Sequence, residues 1–97
     1  MPLFAMLTTL SHGSLSDPQS LGALERQVMQ RVRTECPTVE WVNNFAVLGP
    51  CDYLDIFKAP DLETAMQLAT IFRTVGHANV EVWPATEWSR FKELISS

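Results

Sequence analysis

Five breaks decide how this chain can be divided: Asp17-Pro18, Pro37, Gly49-Pro50, Pro60-Asp61 and Gly76. Each combines residues that start or stop regular structure, and the stretches between them alternate in period. Leu3 to Thr9 is a short apolar run with the character of a buried strand. Ser11-His12-Gly13-Ser14 is a loop, and Asp17-Pro18 then pairs an N-cap acceptor with a proline at the first helical position, where a missing N–H costs nothing. Leu21, Leu24, Val28, Val32 and Cys36 recur at spacings of three or four, one apolar stripe of a helix that Pro37 ends. Thr38 to Leu48, carrying Val39, Trp41, Val42, Phe45 and Val47, favours extended structure and gives a second strand. Gly49-Pro50 turns the chain into a third, Tyr53 to Ala59. Pro60-Asp61 repeats the helix start, with Glu63 in the first turn, a stripe of Ala65, Leu68, Ala69 and Phe72, and Arg73 near the end that Gly76 closes. Val80 to Pro84 is the fourth strand, and Thr86 caps a last helix with Trp88, Phe91, Leu94 and Ile95 on one side.

The order β-α-β-β-α-β plus a short C-terminal helix predicts an α+β chain forming one domain over residues 1–97. Two β-α-β units interleaved in a four-stranded antiparallel sheet is the ferredoxin-like arrangement. Composition narrows the context. With 46% hydrophobic and 19% charged residues the chain can bury a core, which sets aside disordered and low-complexity classes. A formal net charge of -4 speaks against a nucleic-acid partner. No apolar run approaches the ~20 residues that span a bilayer. The start, Met1 to Leu7, lacks a positive n-region, Arg26 being the first cation. Cys36 and Cys51 form no CxxC motif. The expectation is a reduced, cytoplasmic protein without nucleic-acid or membrane partners.

Alternation along the strands sorts side chains onto two faces. Ala5, Leu7, Leu54, Ile56, Val80 and Val82 form an aliphatic set suited to lie beneath the helices. Phe4, Met6, Thr8, Tyr53, Asp55, Phe57, Glu81 and Trp83 fall on the opposite face, which nothing else in the chain covers except the last helix at one end. Five large groups there, Phe4, Met6, Tyr53, Phe57 and Trp83, would expose roughly 500 Å², at the upper end of what monomers show. A homo-oligomer, at least a dimer, is therefore expected through this face. The second strand offers two candidate sets for it, Trp41/Phe45/Val47 or Val42/Ala46/Leu48, depending on the length of the Gly49-Pro50 turn.

From Leu48 to Phe57 (Leu-Gly-Pro-Cys-Asp-Tyr-Leu-Asp-Ile-Phe), and on through Ala59 to Ala65, Gly76-His77-Ala78, Glu81 to Pro84 and Trp88 to Leu94, the chain resembles the GYD-domain family. The family is similar to dimeric α/β-barrel ferredoxin-like proteins, in which two sheets pack face to face. The resemblance implies that fold and assembly and no settled activity. It also marks a departure: where the family has Gly-x-Tyr-Asp, this chain has Gly49, Pro50, Cys51 and Asp52, so Cys51 stands at the motif tyrosine.

Several residues carry candidate chemistry. Asp55, between Tyr53 and Phe57 on a central strand, would have its pKa raised if association buried it, and a neighbouring phenol could donate to it. Without a role it is a carboxylate in a wet interface. Glu81 beside Trp83 could grip a cationic or hydroxylated ligand, or form a solvated rim on an edge strand. His77 follows a helix end, where the dipole alone accounts for a cation. His12 could face a pocket mouth. Cys51 at a turn could react with an electrophile, although Asp52 beside it disfavours the thiolate, and Asp52 itself suits a turn. The Arg26, Arg31 and Arg33 group, mixed with Glu25 and Glu35, reads as a solvated salt-bridged helix face. No P-loop, GxSxG, GxGxxG or HExxH pattern occurs, so neither cofactor nor metal is called for.

The leading expectation is a small-molecule-binding or sensing homo-oligomer with a pocket at an interface or between sheet and helix. Its ligand contacts would be drawn from Phe4, Met6, Tyr53, Phe57, Trp83, Cys51 and Asp52. A small cofactor-independent enzyme of oxygenase or isomerase type, with Asp55, Glu81 or His77 as base, is the alternative, and a ligand-free structural adaptor is the third.

Overall fold

A computed structural model describes residues 1–10 and 18–96, the side chains of residues 18–20 excepted. The loop at Ser11 to Ser14, with His12, and the Asp17 cap lie outside the described residues. Among the described residues four strands and three helices follow in the expected order: β1 (Leu3–Thr9), α1 (Pro18–Glu35), β2 (Glu40–Ala46), β3 (Tyr53–Lys58), α2 (Leu62–Thr74), β4 (Asn79–Ala85) and α3 (Trp88–Ser96). The strands form one antiparallel sheet in the order β2-β3-β1-β4, the ferredoxin-like topology.

Local chemistry explains the element ends. The Asp61 carboxylate accepts from the Thr64 N–H at 2.7 Å and caps α2. Those bonds hold its carboxyl below the ordinary carboxylate range. At the other end of α2 the left-handed residue is His77, with φ of 52°, one position later than the glycine stop. Gly76 is needed for a different reason. A methyl group there would sit 2.6 Å from the Phe72 carbonyl oxygen and 3.1 Å from Val28, so α1 and the end of α2 approach too closely for any side chain. Arg73, placed at the C-terminal turn of α2, donates to the Val80 carbonyl at 2.7 Å and ties the helix to β4. On α1, Arg31 pairs with Glu35 at 2.8 Å on the solvent side.

The sheet faces are the main correction to the sequence reading. Phe4, Met6 and Phe57 lie beneath the helices, in one core with Val28, Val32, Ala65, Leu68 and Val80. Met6 and Phe57 are 0% exposed, so neither belongs to an open face. The Phe4 and Phe57 rings stack at 5.4 Å, and Trp41 packs on Phe57 at 5.7 Å. The aliphatic set assigned to the core, Ala5, Leu7, Leu54 and Ile56, faces the other way. The reason is volume. Two of the inward residues of α2 are Ala65 and Ala69, and Gly76 closes the helix gap, so the sheet must supply the bulk.

On β4 the outward assignment of Glu81 and Trp83 stands, but they share that side with different neighbours. Register sets Trp83 opposite Ala5 and Glu81 opposite Leu7, while Val80 and Val82 face Thr8 and Met6. The second strand takes neither candidate set whole. A bulge between Trp41 and Asn43 leaves Trp41 opposite Phe57 on the helix side and Phe45 opposite Leu54 on the outer side. The uncovered face is thus Leu3, Ala5, Leu7, Leu54, Ile56 and Trp83, with Phe45 on the β2 edge. On α3 no residue is buried, and Trp88 and Phe91, 5.7 Å apart, are exposed together. No helix is long and apolar enough to cross a membrane among the described residues.

Candidate ligand-binding site

Between α1 and the β2–β3 half of the sheet lies a cavity of about 380 Å³. Its walls are mainly apolar: Leu21, Leu24, Val28 and Met29 from α1, Trp41 from β2 and Phe72 from α2. Small residues leave it open, with Ala46 on the floor and Gly76 and Ala78 at the far end. The polar groups number five: Thr8, Glu25, Asn44, Tyr53 and Asp55.

Strand register assembles four of these on one patch of sheet. Asp55 is opposite Asn44 on β2, Tyr53 is opposite Ala46, and Thr8 on β1 is opposite Tyr53. The Asn44 side-chain N–H donates to Asp55 Oδ1 at 2.8 Å. Among the described residues it alone donates to that carboxylate, which has room for about four donors. Asp55 is 8% exposed, and burial is the main force pushing its carboxyl above the ordinary range. The Asn44 bond works against that rise and the nearby Glu25 charge adds to it. The Tyr53 hydroxyl is also raised, by burial first and then by the charges of Glu25, Asp52 and Asp55.

Thr8 is the odd member. It is 1% exposed, and its hydroxyl has no hydrogen-bond partner among the described residues. A buried hydroxyl without a partner costs about 1–3 kcal/mol, so such groups are rare. Thr8 is one of the residues that line the cavity, whose volume is at the lower end of the usual ~300–1,000 Å³ for small-molecule sites.

Two of the residues expected from the sequence therefore meet here, Asp55 and Tyr53. Phe4, Met6 and Phe57 are core side chains outside the lining. Glu81 and Trp83 lie on the reverse side of the sheet, where Trp83 is 52% exposed. His77 is exposed and outside the lining, although its neighbours Gly76 and Ala78 belong to it. Asp52 does the work of a turn: its side chain accepts from the Leu10 N–H at 2.8 Å, and its own N–H donates to the Thr8 carbonyl at 2.8 Å. Cys51, in the same turn, is half-buried, and both thiols are free. Cys36 is buried in the core, which pushes its thiol up. No cluster of three or more His, Cys, Asp or Glu among the described residues could hold a metal. Thr8, Glu25 and Asn44 are the contributors that sequence reasoning did not place in a site. Their signal was positional, since each is ordinary by type and gains its role only from register.

An antiparallel β2-β3-β1-β4 sheet with two helices on one face defines a ferredoxin-like α+β domain, and here that domain holds a carboxylate in a helix–sheet cavity. The family model for the GYD domain matches residues 4–95, and the chain belongs to the GYD-domain family. Its fold is similar to a solved structure titled "De novo designed protein Foldit4", at 17% identity and a TM-score of 0.50, over 89% of this chain and 96% of that one. No curated protein matches it.

Proposed function

We propose that the chain is a small-molecule-binding module, working as a homo-oligomer, whose ligand occupies the cavity between α1 and the sheet. The observation that carries this reading is the buried Asp55 carboxylate, with Asn44 as its one donor among the described residues, in the wall of a mainly apolar cavity of about 380 Å³. Apolar walls supply affinity, and a few convergent polar groups supply orientation. Homo-oligomerisation is supported by the outer face of the sheet. Leu7, Leu54, Ile56 and Trp83 form an apolar patch there that no helix among the described residues covers, and a second copy hides it at a gain of ~25 cal/mol per Å² before association costs.

A native mass spectrum of gently purified protein tests both halves together. The expected result is a multiple of the 10.9 kDa subunit mass, at least twofold, with a retained small adduct. Ala46→Trp, at an exposed position that borders the cavity, should abolish the adduct and keep the oligomer. A bare single subunit would count against the proposal.

The raised Asp55 carboxyl favours one second reading, a cofactor-independent enzyme with Asp55 as its base. Glu81 and His77 are outside the cavity and drop from that role. Turnover that vanishes in Asp55→Asn with the oligomer intact would establish it over simple binding.

A further inference from the structure

Among the described residues, the ionisable groups that line the cavity carry one sign of charge. Glu25 on α1 and Asp55 on β3 are its charged side chains, Tyr53 is the remaining ionisable group, and no Lys, Arg or His among the described residues lines it. A carboxylate in apolar surroundings with no counter-charge is an expensive arrangement, and the burial-driven rise in the Asp55 carboxyl reflects that expense. The neighbouring walls are aromatic. Trp41 and Phe72 lie 6.4 Å apart between centroids, Tyr53 stands on the sheet side, and ring faces of this kind attract cations.

Asp55 has acceptor capacity left after the Asn44 bond. An ammonium group has three donors and no acceptor, so it can give an N–H to Asp55. An anionic head would meet the Asp55 and Glu25 carboxylates and, among the described residues that line the cavity, no cation.

We propose that the ligand of this cavity is a small organic amine, held as an ammonium ion at Asp55, with its apolar stem against Trp41 and Phe72 and with Glu25 at the rim drawing the cation in. The proposal rests on the ligand-binding reading of the same cavity and names the chemistry of the occupant.

Three probes that share a phenyl stem separate the possibilities: phenethylamine, 2-phenylethanol and phenylacetate, each titrated into the full chain and followed by NMR. The amine should bind about tenfold or more tighter than the alcohol, and the acid weakest, because head-group charge is the variable. In Asp55→Asn that preference should shrink to about threefold or less. Glu25→Gln, an exposed substitution that leaves the core untouched, should reduce it by a smaller amount and serves where Asp55→Asn folds poorly. An alcohol or acid that equals the amine overturns the proposal and leaves the cavity reading standing, as does a preference unchanged in Glu25→Gln. Failure of all three to bind at millimolar concentration overturns both.

Discussion

Asp55 carries an electrostatic cost that can be read in the stability of the chain. Burial raises its carboxyl above the ordinary value it has in the unfolded chain, so the folded state holds the proton more tightly. The stabilising contribution is complete below the ordinary carboxylate range and is lost as pH rises through the raised folded value. Asp55→Asn keeps an acceptor for Asn44 and removes the charge. Its thermal midpoint at pH 7 is expected above that of the parent, about 1 kcal/mol corresponding to ~4–8 °C in a domain of this size. At pH 4 the two midpoints should converge. Melts across pH 4–8 check this, and parallel curves would contradict it.

The same residue shows what sequence could and could not say. A lone acid between Tyr53 and Phe57 on a central strand is conspicuous by type, but sequence gives grounds for its burial only through association with a second copy, whereas a single chain already buries it. Its hydrogen-bond partner Asn44 could not be anticipated, because a bulge in β2 decides which residue stands opposite. Thr8 could be grouped with Asp55 and Tyr53, though on the face expected to be open and not beneath the helices, and a threonine in a strand becomes informative only when its hydroxyl is found unpartnered.

At the level of elements, patterns and breakers located each strand and helix found among the described residues, with ends shifted by a few residues at most. Asp61 as a cap and Gly76 as a stop are chemical signals that survive without tertiary knowledge, although Gly76 acts through a close helix approach and His77 takes the left-handed turn. Orientation of the sheet was less legible. Period-two alternation yields two faces but does not say which one the helices cover. That choice depends on the size of the helix residues, and Ala65 and Ala69 call for Phe4, Met6 and Phe57 beneath them.

The inverted face changes which substitution probes assembly. Phe57→Lys would place an ammonium in the core and is expected to unfold the chain, since losing a buried Phe alone costs about 3–5 kcal/mol. Trp83→Lys lies on the outer face and should leave the melting transition intact while dissociating the oligomer. Sedimentation with a circular-dichroism melt reads both effects. An unchanged solution mass for Trp83→Lys would contradict the proposed interface.

For the whole molecule, the proposed function gives the two faces of one sheet separate tasks. The inner face is wide enough for two helices and is incompletely filled on its β2–β3 side, where the cavity opens beneath α1. The outer face, together with the exposed apolar side of α3, is available for a second copy. Membership of the GYD-domain family accounts for the fold and leaves the chemistry of the cavity to this chain's own residues.

The claim on which this division depends is that a ligand enters beneath α1 and not on the outer sheet. Intermolecular NOEs between phenethylamine ring protons and protein methyl groups test it most directly, because Thr8, Val28 and Met29 border the cavity while Leu7, Leu54 and Ile56 lie on the reverse face. The account predicts NOEs to the first set and none to the second. Contacts confined to Leu7, Leu54 and Ile56 would contradict it.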